Sequence, residues 1–383
     1  MRVLFMPAPA VGHVFPMVPL AWAFRAAGHE VFCVTAGDGL GVAEAGLAVV
    51  DALPGRTTRD LYEHFVANHP DLFVPPEGNP VVALGERKSR IVATWDPFVD
   101  AHVEAAERLA PDLVVYDPIF GVGPLVAAKL GIPAVALGFT ICRYSPELLR
   151  ELPAGIAFRR HGLEVPDGIP TIDLAPPSVA EPPASPLAMR YVPYNGGAVL
   201  PEWLFEPPQR PRVAVSFGSL EQAHGSGSLA RLAAAADAVD AEFVIGSGDP
   251  DRVPASELPP NLRIVGWIPL NALLPTCAAA IHHGGSGSAL TCCALGIPQL
   301  ALPEGLTDAS AEAELLRLRG AAIVLEGDEL DASVLRELLA DRDLRRVAAE
   351  LREEIAELPS PAELVPRLAA LRPQSARHEV LAP

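Results

Sequence analysis

The chain has 383 residues, of which 50% are hydrophobic and 20% are charged, enough for two domains with large cores. Its formal net charge of −18 and its pI near 5.0 argue against nucleic acid or an anionic membrane as a partner, because such partners are bound by basic patches. The five cysteines have neither disulfide nor metal-ligand spacing, and no apolar run is long enough to span a bilayer. The first strand leads directly into a Gly-His turn rather than a leader sequence, so a cytoplasmic enzyme is expected.

The first half of the chain alternates short apolar runs with helical patterns, which predicts a parallel α/β sheet. Strands are predicted at 2–8, 30–35, 111–117, 134–137 and 190–194, and helices at 17–27 and 101–109. His13 lies in the loop between the first strand and the first helix. A dense run of prolines between 166 and 211 then predicts a stiff connection to a second domain.

The second half repeats the alternation, so two doubly wound α/β domains are predicted. Its strands are predicted at 213–216, 242–246, 262–265, 278–281, 299–302 and 322–325, with helices at 228–239, 289–295 and 307–320 and further helices within 332–372. Cys292 and Cys293 are expected to pack as small apolar residues in the helix 289–295. Two Asp-x-Asp pairs, at 249/251 and 341/343, do not follow an apolar strand and are interpreted as solvated charge, so no metal site is predicted.

The most informative stretch is the glycine-rich turn between the strand 278–281 and the helix 289–295. It reads His282-His283-Gly284-Gly285-Ser286-Gly287-Ser288 and has no bulky side chain after His283, so a ligand can approach its backbone. The free N–H groups and the dipole of the following helix point into this turn and suit a phosphate. Similar turns occur in α/β domains that bind nothing, and the dinucleotide fingerprint G-x-G-x-x-G is excluded because Gly285-x-Gly287 is followed by Leu290 rather than by a glycine at its last position.

Followed by Gly296-Ile297-Pro298-Gln299 and by Asp308, this motif resembles the donor-site signature of GT-B nucleotide-sugar glycosyltransferases, most closely the actinobacterial enzymes that decorate polyketide antibiotics. The resemblance covers nearly the whole chain. It implies two Rossmann-like domains facing each other across a cleft. The predicted boundaries are 1–195 for an acceptor domain, 196–211 for a proline-rich linker, 212–365 for a donor domain and 366–383 for a C-terminal helix and tail that return toward the acceptor domain.

On the acceptor side, Gly12-His13-x-x-Pro16 resembles the motif in which the histidine of these enzymes is the general base. A hydroxyl is a poor nucleophile until its proton is removed, and imidazole titrates near working pH. Asp117 corresponds to the aspartate that fixes the tautomer of this histidine. Taken alone, His13 could simply fill its loop and Asp117-Pro118 could simply start a turn. The region 57–99 corresponds to an acceptor pocket, without roles for individual residues.

On the donor side, the resemblance implies roles for a set of residues around the glycine-rich turn. Trp267 would stack on the nucleobase, Ser219 would lie near the phosphates and Asp308 would contact the sugar. The diphosphate would be held by His282, Gly284, Ser286, Gly287 and Ser288. Taken alone, Ser219 could belong to an ordinary strand-to-helix turn and Trp267 could be a core residue.

Two positions depart from the relatives that use UDP-sugars. Leu290 stands where those relatives have a ribose-binding glutamate, and leaving a ribose 2′-hydroxyl buried and unpaired costs about 1–3 kcal/mol. We therefore expect a dTDP donor. Ala309 replaces the glutamine of an Asp-Gln pair that contacts sugar hydroxyls, which favours a deoxysugar and leaves Asp308 as the main sugar contact.

These patterns predict an inverting, metal-independent glycosyltransferase that moves a deoxysugar from a dTDP donor to a hydrophobic polyketide-type acceptor. The protein would be a monomer or homodimer with no cofactor other than this co-substrate. The same base would serve an oxygen or an aromatic carbon nucleophile. Alternatives are a GT-B epimerase, a lipid-linked sugar transferase, and a non-catalytic nucleotide-sugar-binding partner of another transferase; an NAD-dependent enzyme lacks its glycine fingerprint.

Overall fold

The structure is a computed structural model that describes residues 1–61, 63, 96–142, 154–166, 168–179, 187–218, 227–246, 258–303, 309–325 and 329–373. Ser219 and Asp308, two predicted donor-site residues, lie outside these ranges, as does most of the predicted acceptor-pocket region 57–99.

The first half of the chain forms a seven-stranded sheet in the order β3-β2-β1-β4-β5-β6-β7, with all neighbouring strands parallel. The strands are β1 (Arg2–Met6), β2 (Glu30–Thr35), β3 (Ala48–Asp51), β4 (Leu113–Tyr116), β5 (Ala134–Gly138), β6 (Thr171–Asp173) and β7 (Leu187–Ala188). Apart from Arg2, the central strands β1 and β4 are short runs of Val, Leu, Phe, Met and Tyr that are buried on both faces, as expected of a parallel sheet covered by helices.

The second half forms a six-stranded parallel sheet in the order β10-β9-β8-β11-β12-β13. The strands are β8 (Arg212–Ser216), β9 (Glu242–Ile245), β10 (Leu262–Ile264), β11 (Ala279–His282), β12 (Gln299–Ala301) and β13 (Ala322–Val324). The strand order reverses between β1 and β4 in the first sheet and between β8 and β11 in the second. In open α/β sheets, ligands bind beyond the carboxyl ends of the strands at these reversals.

Helices cover both sheets and return the chain between parallel strands. The described α-helices are α1 (Val11–Val14), α2 (Val18–Ala26), α3 (Asp96–Leu109), α4 (Val122–Leu130), α5 (Ala154–Arg160), α6 (Gly227–Ala236), α7 (Leu270–Leu273), α8 (Ser286–Leu295), α9 (Ala309–Arg319), α10 (Ala332–Ala340), α11 (Arg342–Glu357) and α12 (Pro361–Ala369). Asp341 caps α11 by accepting the amides of Asp343 and Leu344, so one of the two Asp-x-Asp pairs has a structural role.

The C-terminal helices join the two halves. Leu364 and Leu368 of α12 share a core with Leu20 and Phe24 of α2 in the first half. The carboxylate of Glu354 on α11 accepts both the amide and the hydroxyl of Ser178. The return to the first half was expected in 366–383; the helix that makes this contact begins at Pro361. The domain boundaries stay a prediction.

The predicted strand at 190–194 is wrong, because the last strand of the first sheet is β7 and the chain from 189 to 200 has no regular structure. Pro193 has no N–H to donate to a ladder. The amide of Arg190 donates instead to the carbonyl of Pro359, and the buried ring of Tyr191 is directed at α8. This segment therefore contacts the second half of the chain rather than extending the first sheet.

Cys292 and Cys293 are buried in α8 as expected, and all five cysteines are free thiols. Among the described residues, no helix combines the length and apolar character that a membrane crossing requires.

Candidate active site

A histidine and an aspartate meet at the strand-order reversal of the first sheet. His13 lies on α1 directly after β1, and Asp117 follows β4, which pairs with β1. His13 Nδ1 is 2.6 Å from Asp117 Oδ2, across 104 residues of sequence. The Asp117 side chain is fully buried, whereas 28% of the His13 side chain is exposed. The structure thus brings the predicted base and its predicted partner together.

The Asp117 carboxylate is held by the backbone as well as by the imidazole. Its Oδ2 accepts the amide of Ala8 at 3.3 Å and its Oδ1 accepts the amide of Ile119 at 2.9 Å. The ring of Phe139, at the end of β5, meets the imidazole edge-on with a centroid distance of 5.2 Å. A buried carboxylate with these partners accepts a hydrogen bond from the protonated Nδ1 of His13, which leaves the lone pair of the neutral ring on Nε2. The arrangement can accept a proton from a bound ligand at Nε2.

The corresponding reversal of the second sheet holds His282, at the end of β11, in a different environment. His282 is 1% exposed, and both ring nitrogens have protein partners. Nε2 is 2.8 Å from Gln299 Oε1, and Nδ1 accepts the amide of Gly284 at 3.0 Å. Burial lowers the pKa of His282 to about 4, although the Gln299 hydrogen bond opposes this shift. The ring is therefore neutral near pH 7, and a direct phosphate contact would require one nitrogen to exchange its partner.

The turn after His282 presents backbone donors. The helix α8 begins at Ser286 with Gly285 as a cap residue that offers no side-chain bond. Among the described residues, the amides of Gly285, Ser286 and Gly287 have no acceptor, whereas the amide of Ser288 donates to Gly285 O at 3.1 Å. Converging amides at a helix N-terminus form an anion site. The backbone at 286–288 was predicted to hold the diphosphate. In the structure, the amides of Ser286 and Gly287 are available for this role, the amide of Ser288 is not, and the amide of Gly285 is available as well.

The second histidine of the motif, His283, fills the space between two loops. An added Cβ at Gly218 would lie 2.6 Å from its ring, and one at Gly285 would lie 2.4 Å from it. Gly218 also has a left-handed backbone with φ +80°. Burial lowers the pKa of His283, and a hydrogen bond to the backbone of Ser216 opposes the shift. These glycines let the β8 and β11 loops close around one imidazole at the reversal point.

Trp267 lies where the two halves of the chain meet. Its side chain is 48% exposed, which is unusual for a tryptophan. A Cβ added to Gly196, which has φ +78°, would lie 3.2 Å from Trp267 Nε1 and 3.6 Å from Cζ of Phe15. Phe15 directly follows the helix α1 that carries His13. The acceptor-side helix and the predicted nucleobase-binding residue therefore approach the same residue of the connecting segment.

Two further contacts join the halves near the glycine-rich turn. The Tyr191 hydroxyl donates to the carbonyl of Gly287 at 3.3 Å, and Cys142, after β5, packs against Ala311 of α9. The glycine-rich turn and α9 therefore contact residues of the first half of the chain.

Leu290 and Ala309, the two positions that depart from the relatives that use UDP-sugars, have different surroundings. Leu290 has no exposed surface and its side chain points from α8 into the core, so it is not presented to a ligand. Ala309, the first residue of α9, lies against the turn, since its Cβ is 3.0 Å from a Cβ added at Gly284. Three residues that contact the site were absent from the predicted set, namely Phe139, Gln299 and Glu312, and Gln299 is a rare polar residue in an otherwise apolar strand.

Comparison with known proteins extends over the whole fold. Two family profiles match, "Erythromycin biosynthesis protein CIII-like, N-terminal domain" over residues 22–218 and the corresponding C-terminal domain over 230–371. The elloramycin glycosyltransferase ElmGT of Streptomyces olivaceus is 40% identical, over 96% of this chain and 97% of the relative.

Solved structures agree with these sequence matches. The glycosyltransferase SnogD from Streptomyces nogalater is 41% identical with a TM-score of 0.77, over 97% of this chain and 99% of that one. The spinosyn rhamnosyltransferase SpnG in complex with thymidine diphosphate is 30% identical with a TM-score of 0.79, over 96% and 100%. SpnG has also been solved with spinosyn aglycone.

The two parallel-sheet domains and these neighbours define a GT-B glycosyltransferase. The chain belongs to the family of erythromycin CIII-like glycosyltransferases.

Proposed function

We propose that this protein transfers a deoxysugar from a dTDP-linked donor to a hydrophobic, polyketide-type acceptor hydroxyl, with inversion at the anomeric carbon. The observation that carries the proposal is the 2.6 Å bond between His13 and the buried Asp117 at the strand-order reversal of the first sheet, while the reversal of the second sheet carries the amide-lined turn. A base on one side and an anion site on the other are the two parts that a single displacement requires.

In the proposed reaction, His13 Nε2 removes the proton of the acceptor hydroxyl as that oxygen attacks the anomeric carbon. Asp117 keeps the proton of Nδ1 in place and stabilises the imidazolium that forms. The bond to the diphosphate breaks on the opposite face of the sugar, which inverts the configuration. The amides of Gly285, Ser286 and Gly287 and the dipole of α8 stabilise the departing negative charge.

Different observations support the nucleobase and the sugar of the proposed donor. SpnG, a structural neighbour, has been solved with thymidine diphosphate, and the half-exposed Trp267 supplies an aromatic face for a nucleobase. The relatives of this chain also include an enzyme named for a deoxysugar, the aclacinomycin-T 2-deoxy-L-fucose transferase of Streptomyces galilaeus. Ala309 is buried with its methyl group against Gly284, so this position supplies no polar group to a sugar hydroxyl, which favours a sugar with fewer hydroxyls.

The proposal is tested by incubating the purified protein with dTDP-6-deoxy and dTDP-2,6-dideoxy sugars and a panel of aromatic and macrolide aglycones. Products are identified by mass spectrometry, and dTDP release is measured. His13→Ala should lower turnover about 10²–10⁴-fold, because the group that removes the acceptor proton is lost. The affinity for dTDP should be retained, because the glycine-rich turn is unchanged. Undiminished turnover would remove His13 from the mechanism.

A matched control exists in the same domain. His161 Nε2 is 2.8 Å from Asp100 Oδ1, so it forms a second histidine–aspartate pair, between α3 and the end of α5 rather than after a strand. His161→Ala should leave turnover unchanged. Equal turnover of UDP- and dTDP-linked donors would contradict the proposed nucleotide, and a strong preference for a fully hydroxylated sugar would contradict the proposed deoxysugar. dTDP binding without release of dTDP in the presence of any acceptor would instead support a non-catalytic partner.

A further inference from the structure

A fully buried glutamate lies beneath the glycine-rich turn. Glu312, on α9, is 0% exposed, and its Oε2 accepts the hydroxyl of Ser286 at 2.5 Å. Ser286 is the first residue of α8, the helix whose amides form the anion site. A buried carboxyl group is costly to desolvate, so its position next to an anion site needs a physical reason.

The helix α9 touches the turn at two points. Its first residue, Ala309, contacts Gly284, whose φ of +88° and close packing exclude a side chain. Glu312, three residues farther along α9, holds Ser286. The turn from Gly284 to Ser286 is therefore attached to α9 at both ends. The three amides that have no acceptor, those of Gly285, Ser286 and Gly287, lie within or directly after this attached segment.

The Ser286–Glu312 hydrogen bond also occupies the proton of the Ser286 hydroxyl. Because it donates its proton to Glu312, the same proton is not available to a phosphate or to the start of the helix. The cap residue Gly285 supplies no side-chain bond to the first turn. A glycine-rich turn without a side-chain cap has large conformational freedom, and the Ser286–Glu312 bond is a restraint on it.

We propose that Glu312 is a positioning residue for the donor diphosphate. By accepting the Ser286 hydroxyl, it fixes the first turn of α8 so that the three amides converge on the diphosphate. Ser286 then contributes its backbone N–H to the ligand, and its hydroxyl serves the protein. This role rests on the proposed function only in that the donor diphosphate binds at the start of α8.

The experiment measures the affinities of thymidine diphosphate and of thymidine by calorimetry, for the full-length protein and its variants. Glu312→Ala should weaken thymidine diphosphate binding about tenfold or more, because the amides lose their fixed direction, and should change thymidine binding less than about threefold. Glu312→Gln keeps a carbonyl oxygen that accepts the Ser286 hydroxyl, so it should restore binding to within about threefold of the unsubstituted protein.

Ser286→Ala removes the same bond from the other side and leaves a smaller gap, so it serves if Glu312→Ala fails to fold. It should weaken thymidine diphosphate binding as much as Glu312→Ala does, and the double variant should be no weaker than either. The control is Glu314→Ala, a glutamate on the same helix that pairs with Arg317 at the surface. It should bind both ligands as the unsubstituted protein does.

The outcomes separate the two proposals. If the unsubstituted protein does not bind thymidine diphosphate, the proposed donor fails, and the role of Glu312 fails with it. If it binds, and Glu312→Ala leaves the affinity unchanged or weakens both ligands equally, only the positioning role is overturned. A loss in Ser286→Ala without a loss in Glu312→Ala would also overturn it, since that result assigns the hydroxyl directly to the phosphate.

Discussion

The two domains each place an imidazole at the point where their strand order reverses, and the surroundings give the two rings opposite properties. His13 is partly exposed and its partner is the carboxylate of Asp117. His282 is buried and its partner is the neutral amide of Gln299. A carboxylate stabilises an imidazolium, whereas burial beside an amide keeps the ring neutral. The first ring is suited to proton transfer and the second to holding a loop in shape.

This comparison makes separable predictions, since changes around His13 should affect turnover and changes in the second domain should affect dTDP binding or folding. The largest effect is expected for Asp117→Asn. The amide removes the charge that stabilises the imidazolium and can donate to Nδ1, which moves the ring proton to Nε2. Turnover at saturating donor should fall about 10²–10⁴-fold with dTDP affinity unchanged. An equal loss of dTDP affinity would show that the two regions are not separable.

The next effect concerns stability at low pH. Burial lowers the pKa of both His282 and His102 to about 4, from 6.5 in the unfolded chain. Below pH 6.5 the unfolded state binds more protons than the folded state, so stability is full above pH 6.5 and is lost as pH falls toward 4. The free energy of unfolding should decrease by about 2 kcal/mol per histidine between pH 7 and pH 5, measured by urea denaturation.

One variant divides this loss between the two histidines. Nε2 of His102 is buried without a hydrogen-bond partner in the described part of the chain, so Leu is a reasonable replacement. His102→Leu should abolish about half of the pH-dependent loss and leave the share of His282. A pH dependence equal to that of the unsubstituted protein would contradict a neutral, buried His102.

A smaller effect is expected for Trp267→Ala. Removing the exposed aromatic face should weaken dTDP binding about tenfold through lost stacking on the base, and turnover at saturating donor should remain. Calorimetry with dTDP and with inorganic diphosphate distinguishes the base from the phosphates, since diphosphate binding should not change. An unchanged dTDP affinity would return Trp267 to the role of a surface residue between the halves.

The smallest effect is expected for removal of divalent metal. If backbone amides and the dipole of α8 stabilise the leaving diphosphate, turnover in the presence of EDTA should stay within about twofold of its value with Mg²⁺. A large loss that Mg²⁺ restores would show that the second domain needs a cation to perform the role assigned to its amides.

The features that sequence predicted best are those fixed by topology. His13 and Asp117 are 104 residues apart, yet each follows a buried strand, and the carboxyl ends of neighbouring parallel strands meet at one edge. The strand 190–194 was predicted wrongly because its apolar residues serve a contact with the second domain rather than a sheet. The order of the two domains and the position of the glycine-rich turn could be predicted from local sequence patterns alone.

The contacts that individual side chains make in the second domain could not be predicted from the sequence pattern. Glu312 lies in a run of Ala, Glu and Leu that is typical of a solvated helix face, and the packing of α9 against the glycine-rich turn buries it. The two adjacent histidines are indistinguishable by type, yet one is held by Gln299 and the other fills the gap between two glycines. These differences depend on side-chain directions that spacing does not determine.

The return of α12 to the first domain has a consequence for recombining these enzymes. Leu364 and Leu368 complete a core whose other members include Leu20 and Phe24, although they are encoded after the whole of the second sheet. A hybrid that receives its second half from a relative should therefore have two junctions, one before β8 and one between α11 and α12. A hybrid with one junction would carry a foreign last helix against a native α2 and should melt at a lower temperature than the two-junction hybrid.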